Sequence, residues 1–461
     1  MLPDCHLPET WRAKMVERIP SSTKDQRQEW ICKADYNLFK LRSNEVRFDL
    51  GTDGGSGGMS DNQWSALMRG DSAATRSPSS YRLQEKVKEL FGFTYTIPVH
   101  RGRAAKHALV QALLNEESIV PGNAFFDTTR ANIESQKAIA IDCAIEGAFD
   151  IYYQHPFKGN VNLPELEKIL QGSGSNVPMI MVSITCDKTG GQPVSMHNLR
   201  EVKRLAKMFN VPVILDSARF AENAWFIQKN ESEYSSQSIP DIVQEMYHHA
   251  DGMVMSGKTD GLVNAGGFFA TNNKDLFDRV GKYANLFCGL AGRDMEALTV
   301  GLGEVTQQEY LDDRIRQIHR FGMRLMAANV PIQQPIGGHA IVIDASLFLP
   351  LVPREEYVAK TLAVELYVEA GIRGAGMETV IGGGNPITGI NRNRSNAKDF
   401  LYLAIPRQAY TNDQLSFVAN ALIQIFERRF TITRGLYVVH EDAILRYLTI
   451  QLKKADGKSI A

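Results

Sequence analysis

The sequence predicts an α/β protein, with a large domain around a largely parallel sheet and a smaller α+β domain. Three observations carry this reading. Apolar runs at residues 178–184 and 211–215 flank an amphipathic stretch at 197–209, a strand–helix–strand rhythm. A second alternation of strand-like and helix-like segments begins after Arg320. At 461 residues the chain can bury a large core and hold two or three domains.

Taken in order, residues 1–50 are mixed and moderately polar, and read as an N-terminal arm with part of the small domain. Residues 51–320 form the large domain and 321–461 the small one. Gly51-Thr52-Asp53-Gly54-Gly55-Ser56-Gly57-Gly58 is too glycine-rich for a regular element. It is either a flexible linker or backbone brought close to a ligand or neighbouring subunit. Residues 81–91 carry Leu83, Val87, Leu90 and Phe91 at helical spacing. A strand is expected at 95–99 and a helix at 104–114. Residues 178–184 and 211–215 read as short buried strands. Between them, the helix at 197–209 turns Leu199, Val202 and Leu205 inward, and Arg200, Lys203, Arg204 and Lys207 outward. In the small domain, strands are expected at 340–344 and 401–405, helices near 354–370 and 412–429, and a loop at 382–396.

Lys and Arg number 51 against 52 Asp and Glu, so overall charge argues for neither a nucleic acid nor an anionic membrane as partner. No apolar run approaches a membrane span. The first six residues lack the basic start and apolar stretch of a secretion signal. Cys5, Cys32, Cys143, Cys186 and Cys288 are odd in number and lack metal-ligand spacing. They read as reduced thiols in a cytoplasmic protein, and no metal site is expected.

Several segments carry residues suited to chemistry. Val99-His100-Arg101-Gly102-Arg103 joins a strand to a helix, where free backbone N–H groups and two arginines can hold an anion. An exposed basic turn explains it equally well. Leu215-Asp216-Ser217-Ala218-Arg219 puts a carboxylate at a strand end, where α/β sheets direct groups into a ligand crevice. On its own, Asp216 is better read as the N-cap of a helix over 219–224. Asp187 precedes a tight turn, Thr189-Gly190-Gly191-Gln192-Pro193-Val194-Ser195, and either faces the same crevice or stays solvated.

Met255-Ser256-Gly257-Lys258-Thr259-Asp260-Gly261 resembles the cofactor-lysine segment of the tyrosine phenol-lyase and tryptophanase family. These β-eliminating lyases use pyridoxal 5'-phosphate (PLP) to split aromatic amino acids. Met59-Ser60-Asp61-Asn62-Gln63-Trp64, Gly190-Gly191-Gln192-Pro193-Val194-Ser195-Met196, Gly289-Leu290-Ala291-Gly292-Arg293-Asp294-Met295-Glu296-Ala297, Gly337-Gly338-His339-Ala340 and Ala404-Ile405-Pro406-Arg407 continue the resemblance in family order. It covers nearly the whole chain. It implies an aspartate-aminotransferase-like large domain (PLP fold type I) with a mainly parallel seven-stranded sheet. It also implies a homo-oligomer, dimer or tetramer, with active sites at a dimer interface.

Carried over by residue, Arg101, Gly102, Arg103, Ser256 and Lys258 match the phosphate contacts, although the family's usual first residue of that loop is glutamine. Phe126 matches the aromatic that stacks on the pyridine ring, and Asp216 the carboxylate that keeps its nitrogen protonated. Arg219 matches an arginine near the ring's phenolic oxygen. The departures fall on reactivity. Thr259 stands where the Schiff-base lysine belongs, and a threonine cannot form an imine. Ala74 replaces a tyrosine that serves the phosphate and the leaving group. The serine, asparagine and arginine that hold a substrate carboxylate become Gly54, Asp187 and Tyr402, while nearby Thr52 is kept. Met377 replaces the arginine of phenol specificity and Asp127 its threonine companion; Arg373, Arg392 and Arg394 are candidate compensating charges. At the implied monovalent-cation site Asn264 is kept, but a family glutamate becomes Ser72.

The resemblance therefore leads to a divergent PLP-type enzyme. It binds PLP or pyridoxamine 5'-phosphate noncovalently and acts on an atypical small-molecule substrate in specialised biosynthesis, not as an ordinary tyrosine or tryptophan lyase. The catalytic candidates are Asp216, Lys258, Thr259 and Asp187, with Asp127 and His100 as further acid–base groups. One alternative is a conventional β-lyase in which Lys258 has taken over the imine. Another is a non-catalytic ligand-binding homologue.

Overall fold

The computed structural model describes residues 8–54, 58–73, 77–287, 289–379, 398–441 and 446–455. The chain divides into two compact units. The larger comprises Gly54–Ile315 with Arg407–Ala409; the smaller comprises Met1–Asp53, Arg316–Pro406 and Tyr410–Ala461.

Among the described residues, seven strands build the larger unit: β1 (Tyr95–Val99), β2 (Ile119–Gly122), β3 (Ile139–Asp142), β4 (Ile180–Ser183), β5 (Val213–Asp216), β6 (Gly252–Ser256) and β7 (Gly267–Thr271). Five are hydrogen-bonded in the order β1-β7-β6-β5-β4, and β2 and β3 form a parallel pair. The β4–β5 and β5–β6 pairings are parallel, whereas β7 is antiparallel to both of its neighbours. Hence β1 runs in the same direction as β6, and β1, β4, β5 and β6 all end at one edge. Register places Val99 and Ser256 on either side of Gly267, and Ser183 beside Asp216.

The continuous apolar runs have a physical reason. One core cluster takes Ile180, Val182, Val213, Leu215, Met253 and Met255, and another takes Met179, Met181, Ile214 and Val254. Alternate residues point to opposite faces, so the sheet is buried on both sides and polar alternation is lost.

Four helices matter for the site: α1 (Gly102–Leu113), α2 (Asp127–Glu134), α3 (Met196–Met208) and α4 (Phe220–Asn230). The expected helix at 197–209 is α3, which buries Leu199, Val202 and Leu205 as its spacing requires. It starts one residue early because the Ser195 hydroxyl accepts the Asn198 N–H as N-cap.

In the smaller unit β8 (Ala340–Asp344), β9 (Ala375–Thr379) and β10 (Lys398–Ala404) form an antiparallel sheet ordered β9-β10-β8. Helices Val358–Ala370 and Asn412–Glu427 occupy the expected segments. The short strand Phe48–Asp49 pairs in parallel with Ile372–Arg373. Among the described residues no helix is long and apolar enough to cross a membrane. Cys32, Cys143 and Cys186 are free thiols. The expected loop at 382–396 lies outside the described residues.

Candidate active site

Asp216 ends β5, Ser256 ends β6, and Arg101 follows β1 by two residues, so the shared strand edge gathers them. Arg101 also bridges to Gly266, and Gly102 opens α1. A Cβ on Gly102 would stand 2.8 Å from the Ser256 Cβ and 2.9 Å from its Cα. Such contacts are too short, so glycine is what lets the helix start approach the end of β6. The first-turn N–H groups of α1 lie beside Arg101 and Arg103, with Lys258 just beyond β6. Burial lowers the Lys258 pKa, and the charges of Arg101 and Arg103 lower it further. Among the described residues no carboxylate pairs with any of these three cations. Three unmatched positive charges at a helix N-terminus suit a phosphate dianion. On this structure's own donors, the phosphate end of a PLP-like ligand fits.

Thr259 directs its hydroxyl to the backbone. Its hydroxyl bonds to the Ser256 carbonyl at 2.8 Å and to the Ala218 carbonyl, and the residue is buried. These bonds tie the turn after β6 to the loop after β5.

Asp216 is not the N-cap of the following helix, contrary to the reading it favoured alone. Arg219 occupies the N-cap position of α4 without a side-chain bond, and the Ala221 N–H donates to the Asp260 carboxylate at 2.8 Å. Asp260 then shares Arg407 with Glu222, each at 2.7 Å, and Glu222 also receives Arg314 at 3.3 Å. Sequence reasoning missed this buried four-charge cluster. Asp260 and Arg407 are visible only as parts of family phrases, and no local pattern marks Glu222 or Arg314.

The Asp216 carboxylate instead accepts from the ammonium of Lys106, one turn into α1. Lys106 also bonds to Thr129 Oγ1 at 3.0 Å. Lys106 was not singled out from sequence. Phe126 is half-buried at the N-cap of α2, and Asp127 begins that helix. Asp127 is ion-paired with Lys188. Asp187 is not simply solvated: its carboxylate lies 2.8 Å from Arg219. The turn after it is as tight as expected, with Gly190 and Gly191 at φ +86° and +72°. Asp216, Asp127 and Asp187 thus each have a cationic partner in the same unit. His100 is exposed.

Thr52, Met377 and Tyr402 belong to the smaller unit. Tyr402 and Met377 are buried on adjacent strands, and the Tyr402 hydroxyl is hydrogen-bonded to His339 Nε2. Arg373, a candidate compensating charge, is committed to Asp49, with its Nε 3.0 Å from the carboxylate. Ala74, Arg392 and Arg394 lie outside the described residues. Among the described residues no group of three His, Cys, Asp or Glu side chains is placed to hold a metal.

Known proteins resemble this chain along most of its length. A family described as "Beta-eliminating lyase" matches residues 49–421. A probable beta-eliminating lyase of Trichomonas vaginalis is 46% identical over 452 residues, spanning 97% of this chain and 98% of that protein. Tyrosine phenol-lyase of Pasteurella multocida is 41% identical, spanning 96% and 98%, and tryptophanase of Salinibacter ruber is 41% identical, spanning 96% and 95%. Among solved structures, serine palmitoyltransferase of Sphingomonas wittichii superposes with a TM-score of 0.60 at 12% identity, covering 88% of this chain and 97% of that one. SepCysS in its complex with the SepCysE N-terminal domain gives 0.56 at 16%, covering 84% and 96%. At such identities the structural likeness shows fold alone.

Proposed function

Because the chain belongs to the beta-eliminating lyase family, we propose that it is a divergent PLP-type enzyme that holds its cofactor noncovalently. Its substrate on this reading is a small molecule other than a free aromatic amino acid, used in a specialised biosynthetic reaction. The observation that carries the proposal is Thr259, whose hydroxyl is spent on two backbone carbonyls where the family resemblance puts a lysine. PLP or pyridoxamine 5'-phosphate, when bound, supplies a ring that draws off electron density from a bond broken beside it.

The chain's own residues have separable tasks. Arg101, Arg103, Lys258, Ser256 and the first turn of α1 would hold the phosphate. Phe126 would cover the ring and Asp216 would meet its nitrogen. Asp187 and Asp127, each already ion-paired, are poor partners for a substrate carboxylate. That supports a substrate without the free carboxylate of an ordinary amino acid. The proposal extends to a homo-oligomeric working form, dimer or tetramer, in the cytoplasm.

A second reading has one observation in its favour. The lowered pKa of Lys258 leaves more of its amine neutral and nucleophilic than a surface lysine's, as covalent attachment of PLP would need. Absorbance with added PLP, then borohydride reduction and peptide mapping, separates the two. Bound PLP that dialyses away supports the noncovalent enzyme. A label fixed on Lys258 establishes the relocated amine and a conventional β-lyase. Absence of PLP binding leaves a ligand-binding homologue.

A further inference from the structure

Asp216 has a partner that the proposed cofactor chemistry does not call for. The Lys106 ammonium donates to its carboxylate and to Thr129 Oγ1 at 3.0 Å, so elements α1 and α2 and strand β5 meet at one charge. The two side chains are 13% and 9% exposed, which keeps salt and solvent from screening the pair. Lys106 is three residues from Arg103, so the helix that offers phosphate donors at its start also delivers this ammonium. Two directed hydrogen bonds and near-complete burial distinguish the contact from a loose surface salt link.

We propose that Lys106 is a positioning residue that neutralises Asp216, so that a pyridine nitrogen bound there is protonated less readily than on Asp216 alone. This rests on the reading that the site takes PLP or a close analogue. A carboxylate has about four acceptor positions, so Asp216 can bond Lys106 and still accept from a ring N–H. What changes is the charge balance. Asp216 alone presents one negative charge to a protonated ring, whereas Asp216 with Lys106 presents none in sum. A unit charge about 5 Å away, at an effective dielectric near 20, moves a titration by about two pH units. Of the other charged groups near this strand edge, Arg219 faces Asp187 and Asp260 faces Arg407, while Arg101, Arg103 and Lys258 are met by the ligand's phosphate and act alike in every variant compared. A less protonated ring is a weaker electron sink. Lys106 therefore narrows the reaction to steps that place less charge on the ring, in keeping with a substrate other than those the named lyases split.

The test uses 4'-deoxypyridoxine 5'-phosphate labelled with 15N in the ring, which lacks the aldehyde and cannot label lysines. Its 15N shift is followed against pH when bound to the full chain and to the Lys106→Met, Lys106→Gln and Lys106→Arg variants. In the unaltered protein the ring should titrate about two pH units below Lys106→Met and Lys106→Gln. Lys106→Arg should return the midpoint to the unaltered value, which a merely structural role would not do. Lys106→Gln keeps a donor for Thr129 and serves if Lys106→Met does not fold. Equal midpoints in all bound proteins overturn the role of Lys106 while leaving the cofactor reading intact. Failure of the unaltered protein to bind the probe overturns both.

Discussion

Asp187 and Arg219 stand 2.8 Å apart, carboxylate oxygen to guanidinium nitrogen, with side chains 16% and 9% exposed. The pair engages one nitrogen of Arg219 and puts a carboxylate where the family resemblance has an amide. Asp187→Asn should remove the carboxylate charge 2.8 Å from Arg219, lowering stability by about 1–3 kcal/mol while raising affinity for an amino-acid carboxylate roughly tenfold. Chemical denaturation and calorimetric titration with L-tyrosine measure the two effects. A fall in both would mean that Asp187 itself contacts the ligand.

Thr259→Lys should place an amine in the turn after β6. The expected outcome is a borohydride-stable PLP adduct on residue 259, detected by peptide mapping, with no release of phenol from tyrosine. The lost bonds to Ala218 and Ser256 should lower stability by about 1–3 kcal/mol.

Arg103→Ala and Asp216→Ala test opposite ends of the cradle. Loss of a charge-assisted contact should weaken PLP binding about 10- to 100-fold for the arginine, and measurably for the carboxylate. Spectral titration reads both, and unchanged affinity in the two variants would remove PLP from the proposal.

Gly102→Ala brings a methyl group to 2.8 Å from the Ser256 Cβ. Moving α1 away from β6 to relieve that contact should cost about 1–3 kcal/mol and loosen the phosphate site. Thermal unfolding with and without inorganic phosphate should show the variant less stable and less protected by phosphate.

Burial pushes the Asp260 carboxyl up to about 6, with Arg407 pulling it down and Glu222 pushing it up. A carboxyl raised in the folded state binds its proton more tightly there than in the unfolded chain. Its contribution to stability is therefore greatest below the unfolded value and declines as pH rises through the window from about 4 to 6. Asp260→Asn should flatten that part of the stability–pH curve, and denaturant midpoints from pH 4 to 7 provide the comparison. An unchanged slope would show that Asp260 stays ionised throughout, held by Arg407.

The elements were legible where hydrophobic periodicity is strong and local. The strands Tyr95–Val99 and Ala340–Asp344 have the bounds their apolar runs suggest. The helix expected near 354–370 starts later, at Val358. Tyr357, at φ +48°, separates a short 3-10 turn from a helix that begins at Val358. The strand expected at 211–215 is shifted along the chain: it starts at Val213 and ends at Asp216, the residues that the ladder with β4 pairs with Ile180 and Ser183.

The sequence by itself determined the fold class, the family, and the residue types available at the strand edge, including Thr259 beside Lys258. These follow from patterns a few residues long and from motifs in order along the chain. Only the tertiary structure decided which charges meet. Read from its neighbours alone, Asp216 suits a capping role because capping acts over three residues, but its partner, Lys106, lies 110 residues away. The cap of α4 comes from Asp260, 39 residues from the N–H it accepts. Such pairings depend on strand order and register, which bring distant strand ends to one edge. No local propensity encodes them.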